Sequence, residues 1–399
     1  MCRNRFMFFQ RFGKKPGFCQ KPGFWVVQVW TLILLLALAV AAGVAGGPPV
    51  LAQEANAVDA TDPIPVMAYY YIWFQPDSWD RAKKDYPTLG RYSSDDRAIM
   101  EQHIRWAKDA GIDGFIVSWK STFQLDSRLE QLMDVAAAQD FQLWIIYQGL
   151  DFDRNPLPVG RIDSDLAYFI ERYADHPAFD MLDKPVVIWS GTWKFSSQDI
   201  AMIGNQVRDQ IYLLATERNL DGYLRLRNAV DGNAYYWASV NPDTFPGYQA
   251  KLDAMGAAVH EDGGLWIAPA APGFDATMIG GRTIVDRRDG EILRREMDAA
   301  IRSSPDAVGL ISWNEFSENT HIEPSQQYGS RYLEVLADIQ QGEAPRMLDF
   351  DSSAPATTNR GNFGPFYILA GMAAFVTFSI GAIVRRNLHR RRPFLGNLQ

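Results

Sequence analysis

The sequence predicts an α/β chain whose residues 64–342 form a (β/α)8 TIM barrel outside the cytoplasm. An N-terminal signal or anchor and a C-terminal transmembrane helix are expected to flank it. Three observations predict this. Eight short apolar β-type runs recur through the region, helix-length segments separate most of them, and about 280 residues suffice for such a barrel. The same alternation suits an open doubly wound sheet, but no G-x-G-x-x-G follows the first run to suggest nucleotide binding.

The predicted strands are, in order, Val66–Phe74, Gly114–Trp119, Gln142–Gln148, Pro185–Ser190, Tyr223–Arg227, Ala234–Ser239, Leu265–Ala271 and Val308–Glu315. Between them, Asp96–Ala110 places Ile99, His103, Ile104, Trp106 and Ala107 near helical spacing. Further helices are expected over Ser127–Gln139, Ile162–Ala174, Ser197–Arg218, Pro246–His260, Glu291–Ser303 and Gln327–Gln341. The connection from the fifth strand to the sixth is too short for a full helix.

The flanks differ in kind from this region. Residues 1–53 carry six Lys/Arg and no acid, and VWTLILLLALAVAAGVA (29–45) follows them, the order of a secretory signal or an uncleaved anchor. Residues 343–363 are polar and rich in Ser, Thr, Pro and Ala, a flexible stalk. GPFYILAGMAAFVTFSIGAIV (364–384) holds no charge, and its length at 1.5 Å per residue spans a bilayer core of about 30 Å. Five arginines in the 385–399 tail place that end in the cytoplasm. The expected location is therefore the cell membrane, single-pass if the signal is cleaved and two-pass if not. The lipid bilayer is an expected partner through 364–384.

Charge narrows the partners further. Residues 54–360 hold 28 Lys/Arg against 47 Asp/Glu, a net of −19, which argues against nucleic acid. Both cysteines, Cys2 and Cys19, lie in the N-terminal segment, so the barrel has no disulfide framework or thiolate metal site. Histidines 103, 176, 260, 321 and 389 are scattered, and no G-x-S-x-G elbow is present. Neither metal nor other cofactor is expected.

Active sites of such barrels lie at the C-terminal ends of the strands. The richest cluster in the chain falls there: Trp313-Asn314-Glu315-Phe316-Ser317-Glu318-Asn319-Thr320-His321-Ile322-Glu323-Pro324. Strand alternation puts Gly309, Ile311, Trp313 and Glu315 on one face. With Glu315 in the barrel mouth, Glu318 follows about one turn later. Two carboxylates so close raise the pKa of one of them, and an acid beside a carboxylate is the pairing glycoside hydrolysis needs. A solvated loop whose acids cap the next helix is the alternative, and it suits Glu323 better than Glu315.

WNEFSENTHIEPS resembles the E-W-H-E-G-T-Q-I-E-P segment of glycoside hydrolase family 99, the endo-α-mannosidase and endo-α-mannanase family. It is similar also to the N-E-W-x-E-G segment of the related WbsX-like polysaccharide-synthesis proteins. MAYYYIWF (67–74), HIRWAKDAGIDGFIVSWK (103–120) and APGFD (271–275) resemble further family segments in the same order. The resemblance implies metal-free retaining cleavage of α-mannosidic bonds in an oligosaccharide or polysaccharide. In the family's proposed route one carboxylate deprotonates the sugar's own 2-hydroxyl, which displaces the leaving group through a 1,2-anhydro sugar. By motif position Glu315 is that base. Glu318 is the acid that protonates the leaving oxygen and later activates water. Phe316, Ser317, Asn319 and His321 stand where the family has Trp, His, Gly and Gln. An enzyme of polysaccharide assembly and a non-catalytic glycan-binding barrel are the rival expectations.

Rings and polar groups at other strand ends complete the expected site. Tyr69, Tyr71 and Trp73 share one face of the first strand and Trp119 ends the second; sugar C–H faces stack on such rings. Asp275, Asn314 and His321, within family-like segments, are expected at the substrate. Trp189, Trp193, Tyr236 and Trp237 suit either core or subsite lining, and Asp151 and Asp153 suit either sugar binding or capping.

Overall fold

A computed structural model describes residues 63–151 and 153–342. The predicted signal or anchor, stalk, transmembrane helix and basic tail lie outside these residues. Among the described residues no helix is long and apolar enough to cross a membrane.

Eight strands carry the fold: β1 (Val66–Tyr71), β2 (Gly114–Trp119), β3 (Gln142–Gln148), β4 (Val186–Ser190), β5 (Tyr212–Leu214), β6 (Gly232–Ala234), β7 (Leu265–Ala270) and β8 (Ala307–Leu310). A helix follows each: α1 (Arg97–Asp109), α2 (Phe123–Ala138), α3 (Val159–Arg172), α4 (Ser197–Val207), α5 (Leu220–Leu226), α6 (Tyr248–Glu261), α7 (Glu291–Arg302) and α8 (Arg331–Gln340). The strands lie in the order β5-β4-β3-β2-β1-β8-β7-β6, and every neighbouring pair is parallel. Ala215, just past β5, closes the ring. Its N–H donates to the Gly232 carbonyl at 3.0 Å and its carbonyl accepts from Ala234 N–H at 2.8 Å.

Strand alternation divides the core into two layers. Met67, Tyr69, Ile116, Trp144, Ile146, Ile188 and Leu214 fill the barrel interior. Ala68, Tyr70, Phe115, Val117, Trp119, Tyr147 and Val187 point outward under the helices. Both faces are dry, so the strands read as unbroken apolar runs. Side chains start several helices: Asp96 accepts from Ala98 N–H, Thr122 from Leu125 N–H, Ser196 from Asp199 N–H and Asn219 from Gly222 N–H.

The fifth strand is a correction. Tyr223–Arg227, predicted as strand, begins inside α5, while β5 lies within the predicted helix Ser197–Arg218, which ends at Val207. Asp231 takes both Arg208 Nε (2.8 Å) and Leu213 N–H (2.9 Å), which holds the turn that ends α4. Asn219 then caps a new helix that buries Tyr223 and Leu226. The sixth strand is shorter and earlier than Ala234–Ser239, which frees Tyr236–Ser239 to bend over the barrel mouth.

The eighth strand stops at Leu310, so the alternation drawn through Glu315 fails beyond Ile311. Ile311 stays with the interior layer, but Trp313 turns outward against Phe115 and His103, with ring centroids 5.3 and 5.5 Å away. Glu315 returns to the mouth through a loop rather than along a strand. After β7 a short antiparallel hairpin, Phe274–Asp275 with Ile284–Val285, stands beside that loop.

Candidate active site

A cavity of about 1210 Å³, open mouth included, occupies the C-terminal end of the barrel. Strand ends around the ring line it. Tyr71 and Trp73 lie at or just past the end of β1, Ser118 and Lys120 of β2, Gln148, Asp151 and Arg154 of β3, and Ser190 and Trp193 of β4. Tyr236–Ser239 follow β6, Phe274 follows β7, and Ile311, Glu315 and Glu318 follow β8.

The loop carrying the two glutamates is fixed from several sides. Glu315 N–H donates to Ser312 Oγ at 2.9 Å, and the Glu315 carboxylate accepts from Ser317 N–H at 2.9 Å. The Glu318 carbonyl accepts from Asp275 N–H at 2.7 Å. Asn319 turns the chain at φ 52°, the left-handed region its short polar side chain tolerates. Arg287 Nη2 then donates to the Asn319 and His321 carbonyls at 2.9 and 2.8 Å, with its guanidinium between the Tyr328 and Tyr332 rings.

Burial raises the pKa of both carboxyls. The Ser317 N–H and Lys83 draw Glu315 back down. The charge of Glu315 pushes Glu318 up further, opposed by Arg154, so Glu318 is the one that keeps its proton at neutral pH. Glu296, sealed under α6 with its carboxylate on Tyr248 Oη at 2.8 Å, is pushed up to about 8 by burial.

Raised carboxyls bind protons in the folded state that the unfolded state has released. The contribution of these three carboxyls to stability therefore falls as pH rises from about 4.5 to about 8. Glu318→Gln removes one such charge, so its melting temperature should exceed wild type at pH 8 and approach it at pH 4.5. A lower melting temperature than wild type at pH 8 refutes this.

Aromatics form much of the remaining wall. Tyr71 and Trp73 stack at 4.4 Å between centroids, and Tyr71 Oη and Tyr236 Oη are hydrogen-bonded across the mouth. Arg218 lies over both Trp193 and Trp237, at 4.6 and 5.5 Å from the ring centres. Among the described residues no three His, Cys, Asp or Glu side chains could hold a metal ion.

The family model for glycosyl hydrolase family 99 matches residues 62–335. The chain belongs to this family. It is 23% identical over 283 residues to the glycoprotein endo-alpha-1,2-mannosidase of Mus musculus, covering 62% of this chain and 59% of that protein. The Xenopus laevis glycoprotein endo-alpha-1,2-mannosidase is 23% identical over 277 residues, covering 63% of this chain and 61% of that protein. The chain thus spans about three fifths of these relatives' length. A solved family 99 endo-alpha-mannosidase from Bacteroides thetaiotaomicron superposes with a TM-score of 0.62 at 22% identity, over 69% of this chain and 96% of that one. That likeness shows the barrel fold.

Of the residues the sequence singles out, Glu315, Glu318, Tyr71 and Trp73 meet at the family 99 cavity. The others lie around it rather than in its lining. Tyr69 is one layer below, buried, with its ring 4.5 Å from that of Tyr236. Trp119 is fully buried in the outer layer against Tyr147 and Phe169, and its Nε1 donates to Asp126 at 2.9 Å. Asn314 clasps the Tyr71 backbone, accepting its N–H at 2.8 Å and donating to its carbonyl at 3.0 Å. The Asp275 carboxylate is taken by Lys84 and Thr277.

His321 is buried beneath the loop, stacked on Phe316 at 3.9 Å and bonded to Asp85 at 3.1 Å. Burial and then Arg287 push its pKa down to about 4, so it is neutral. Trp193, Tyr236 and Trp237 line the cavity, whereas Trp189 belongs to the outer layer. Lys120, Gln148 and Arg154 went unnoticed in the sequence. The available signal was position: Gln148 ends a predicted strand, and Lys120 and Arg154 lie one and six residues beyond predicted strands.

Proposed function

We propose that this protein is a family 99 glycosidase cleaving α-mannosidic or similar α-linked glycans with retention. One observation carries the reading: two buried carboxyls of unequal proton affinity share a sugar-sized cavity with the Tyr71–Trp73 wall. Glu315, as carboxylate, takes the 2-hydroxyl proton. That oxygen attacks C1 as the glycosidic bond breaks, and Glu318 gives its proton to the leaving oxygen. In the second half Glu318 deprotonates a water that opens the 1,2-anhydro ring at C1, and Glu315 returns the proton to O2. Two inversions at C1 give net retention.

We propose further that 364–384 tethers this barrel outside the cytoplasm, a reading supported by 21 uncharged residues followed by five arginines.

Product analysis of the full-length chain on α-linked mannooligosaccharides tests the reaction. Expected is a shortened sugar whose first-formed anomer is α by NMR. A β product refutes retention, and transfer to a sugar acceptor in place of water would favour an assembly enzyme. Trp73→Ala should raise KM roughly three- to tenfold through lost stacking while kcat changes less. An unaltered KM would remove Trp73 from the substrate.

A further inference from the structure

The wall beside the aromatic pair, over the ends of β2 to β4, is cationic, although the barrel region as a whole is strongly acidic. Lys120, at the end of β2, and Arg154, in the loop after β3, both line the cavity, and Trp193 follows on the neighbouring β4. Arg154 Nη1 and Trp193 Nε1 are buried donors with no hydrogen-bond partner among the described residues. Buried donors left unpaired cost free energy, and an acceptor-rich ligand relieves that cost.

Three acids act on this wall. Asp165, which acts on Lys120, is paired with Arg161 at 2.7 Å. Asp151 is engaged locally, accepting from Asn155 N–H at 2.8 Å and Asn155 Nδ2 at 3.3 Å. Glu318 is the third, and burial lowers the pKa of Arg154 to about 10 against the pull of Glu318. When Glu318 holds the proton it is to donate, that pull on Arg154 is gone.

We propose that Arg154, with Lys120 and Trp193, forms a subsite for an anionic group on the sugar, a carboxylate or a phosphate. The preferred glycan is therefore acidic. This deepens the glycosidase reading and rests on it. The guanidinium donates to either anion through Nη1, and the indole N–H of Trp193 supplies a second donor. Neutral mannosides offer these donors only hydroxyl oxygens, weaker acceptors than a carboxylate or a phosphate.

Calorimetry on the full-length Glu315→Gln variant, which cannot consume its ligand, tests this. Three α-linked mannotetraoses serve as probes: one neutral, one oxidised to a C6 carboxylate at the non-reducing residue, and one phosphorylated there. An acidic probe should bind about tenfold or more tighter than the neutral one, the factor expected of a charged hydrogen bond. Which acidic probe wins identifies the group. Adding Arg154→Gln should bring the acidic-to-neutral affinity ratio close to one, whereas adding Arg154→Lys should keep part of it. Equal affinities, no binding of any probe, or a ratio unmoved by Arg154→Gln overturns the proposal. Turnover of the same probes by wild type is read separately. Selective binding with no product from any probe would refute the glycosidase reading and leave the anion subsite standing.

Discussion

Glu318→Gln should lower kcat/KM on an unactivated α-mannooligosaccharide by roughly 10²–10⁴-fold, the range of a lost general acid. The loss should depend on the leaving group. An aryl glycoside whose phenol departs without a proton should recover much of the first step, because only the bond-breaking half requires Glu318 as an acid. Glu315→Gln should cost a comparable factor on both substrates, since the 2-hydroxyl must lose its proton whatever leaves. The two variants therefore separate by substrate and not by size of effect. Equal losses on both substrates for Glu318→Gln would remove it from the acid role, and full activity would remove it from the site. The pH profile adds a second check. Activity needs Glu315 ionised and Glu318 protonated, so it should rise through the first titration and fall through the second.

Trp119→Ala should destabilise the fold by about 3–5 kcal/mol, the usual cost of emptying a buried indole. Its ring fills the space between β2 and the Phe169 side of α3, fully enclosed, with Nε1 answered by Asp126. Trp119→Phe should cost less, because it keeps the ring contacts and loses chiefly the N–H bond. Urea denaturation of the two variants at one pH reads this directly. A Trp119→Ala protein as stable as wild type but with a KM raised like that of Trp73→Ala would return the ring to the substrate.

Trp119 also shows where sequence reasoning reached its limit. A strand's last residue points into the mouth or under the helices according to register alone, and a one-residue difference inverts the answer. Tyr71 lies inward at the rim, while Trp119 on the neighbouring strand lies outward; both look alike as aromatic strand ends. Six of the eight strands were legible because their apolar runs are bounded by polar segments, and the sixth in order, β6, shares only Ala234 with its predicted run. The fifth was hidden because β5 has only three residues, and the adjacent α5, with Tyr223 and Leu226 buried, mimics a strand over so short a span.

The carboxylate pair was legible through its motif, but its path was not. Alternation assumes a strand through Glu315, whereas the chain leaves the sheet at Leu310, brings both glutamates to the mouth on a loop and turns away at Asn319. A glycine occupies that place in the family motif, and asparagine meets the same backbone demand. His321 and Asn314 are held as supports because their bonds go to Asp85 and the Tyr71 backbone, partners 236 and 243 residues away that no local pattern reveals.

The Asn314 clasp on Tyr71 has a consequence in time. One end of this seam is made near the start of the barrel and the other 243 residues later. At about 5–20 residues per second, β1 waits roughly 12–50 s on the ribosome with one edge unsatisfied. Both glutamates arrive in that same final stretch. A nascent chain interrupted before it is thus at once sticky and inert, and catalytic competence reports that the barrel has been sewn shut.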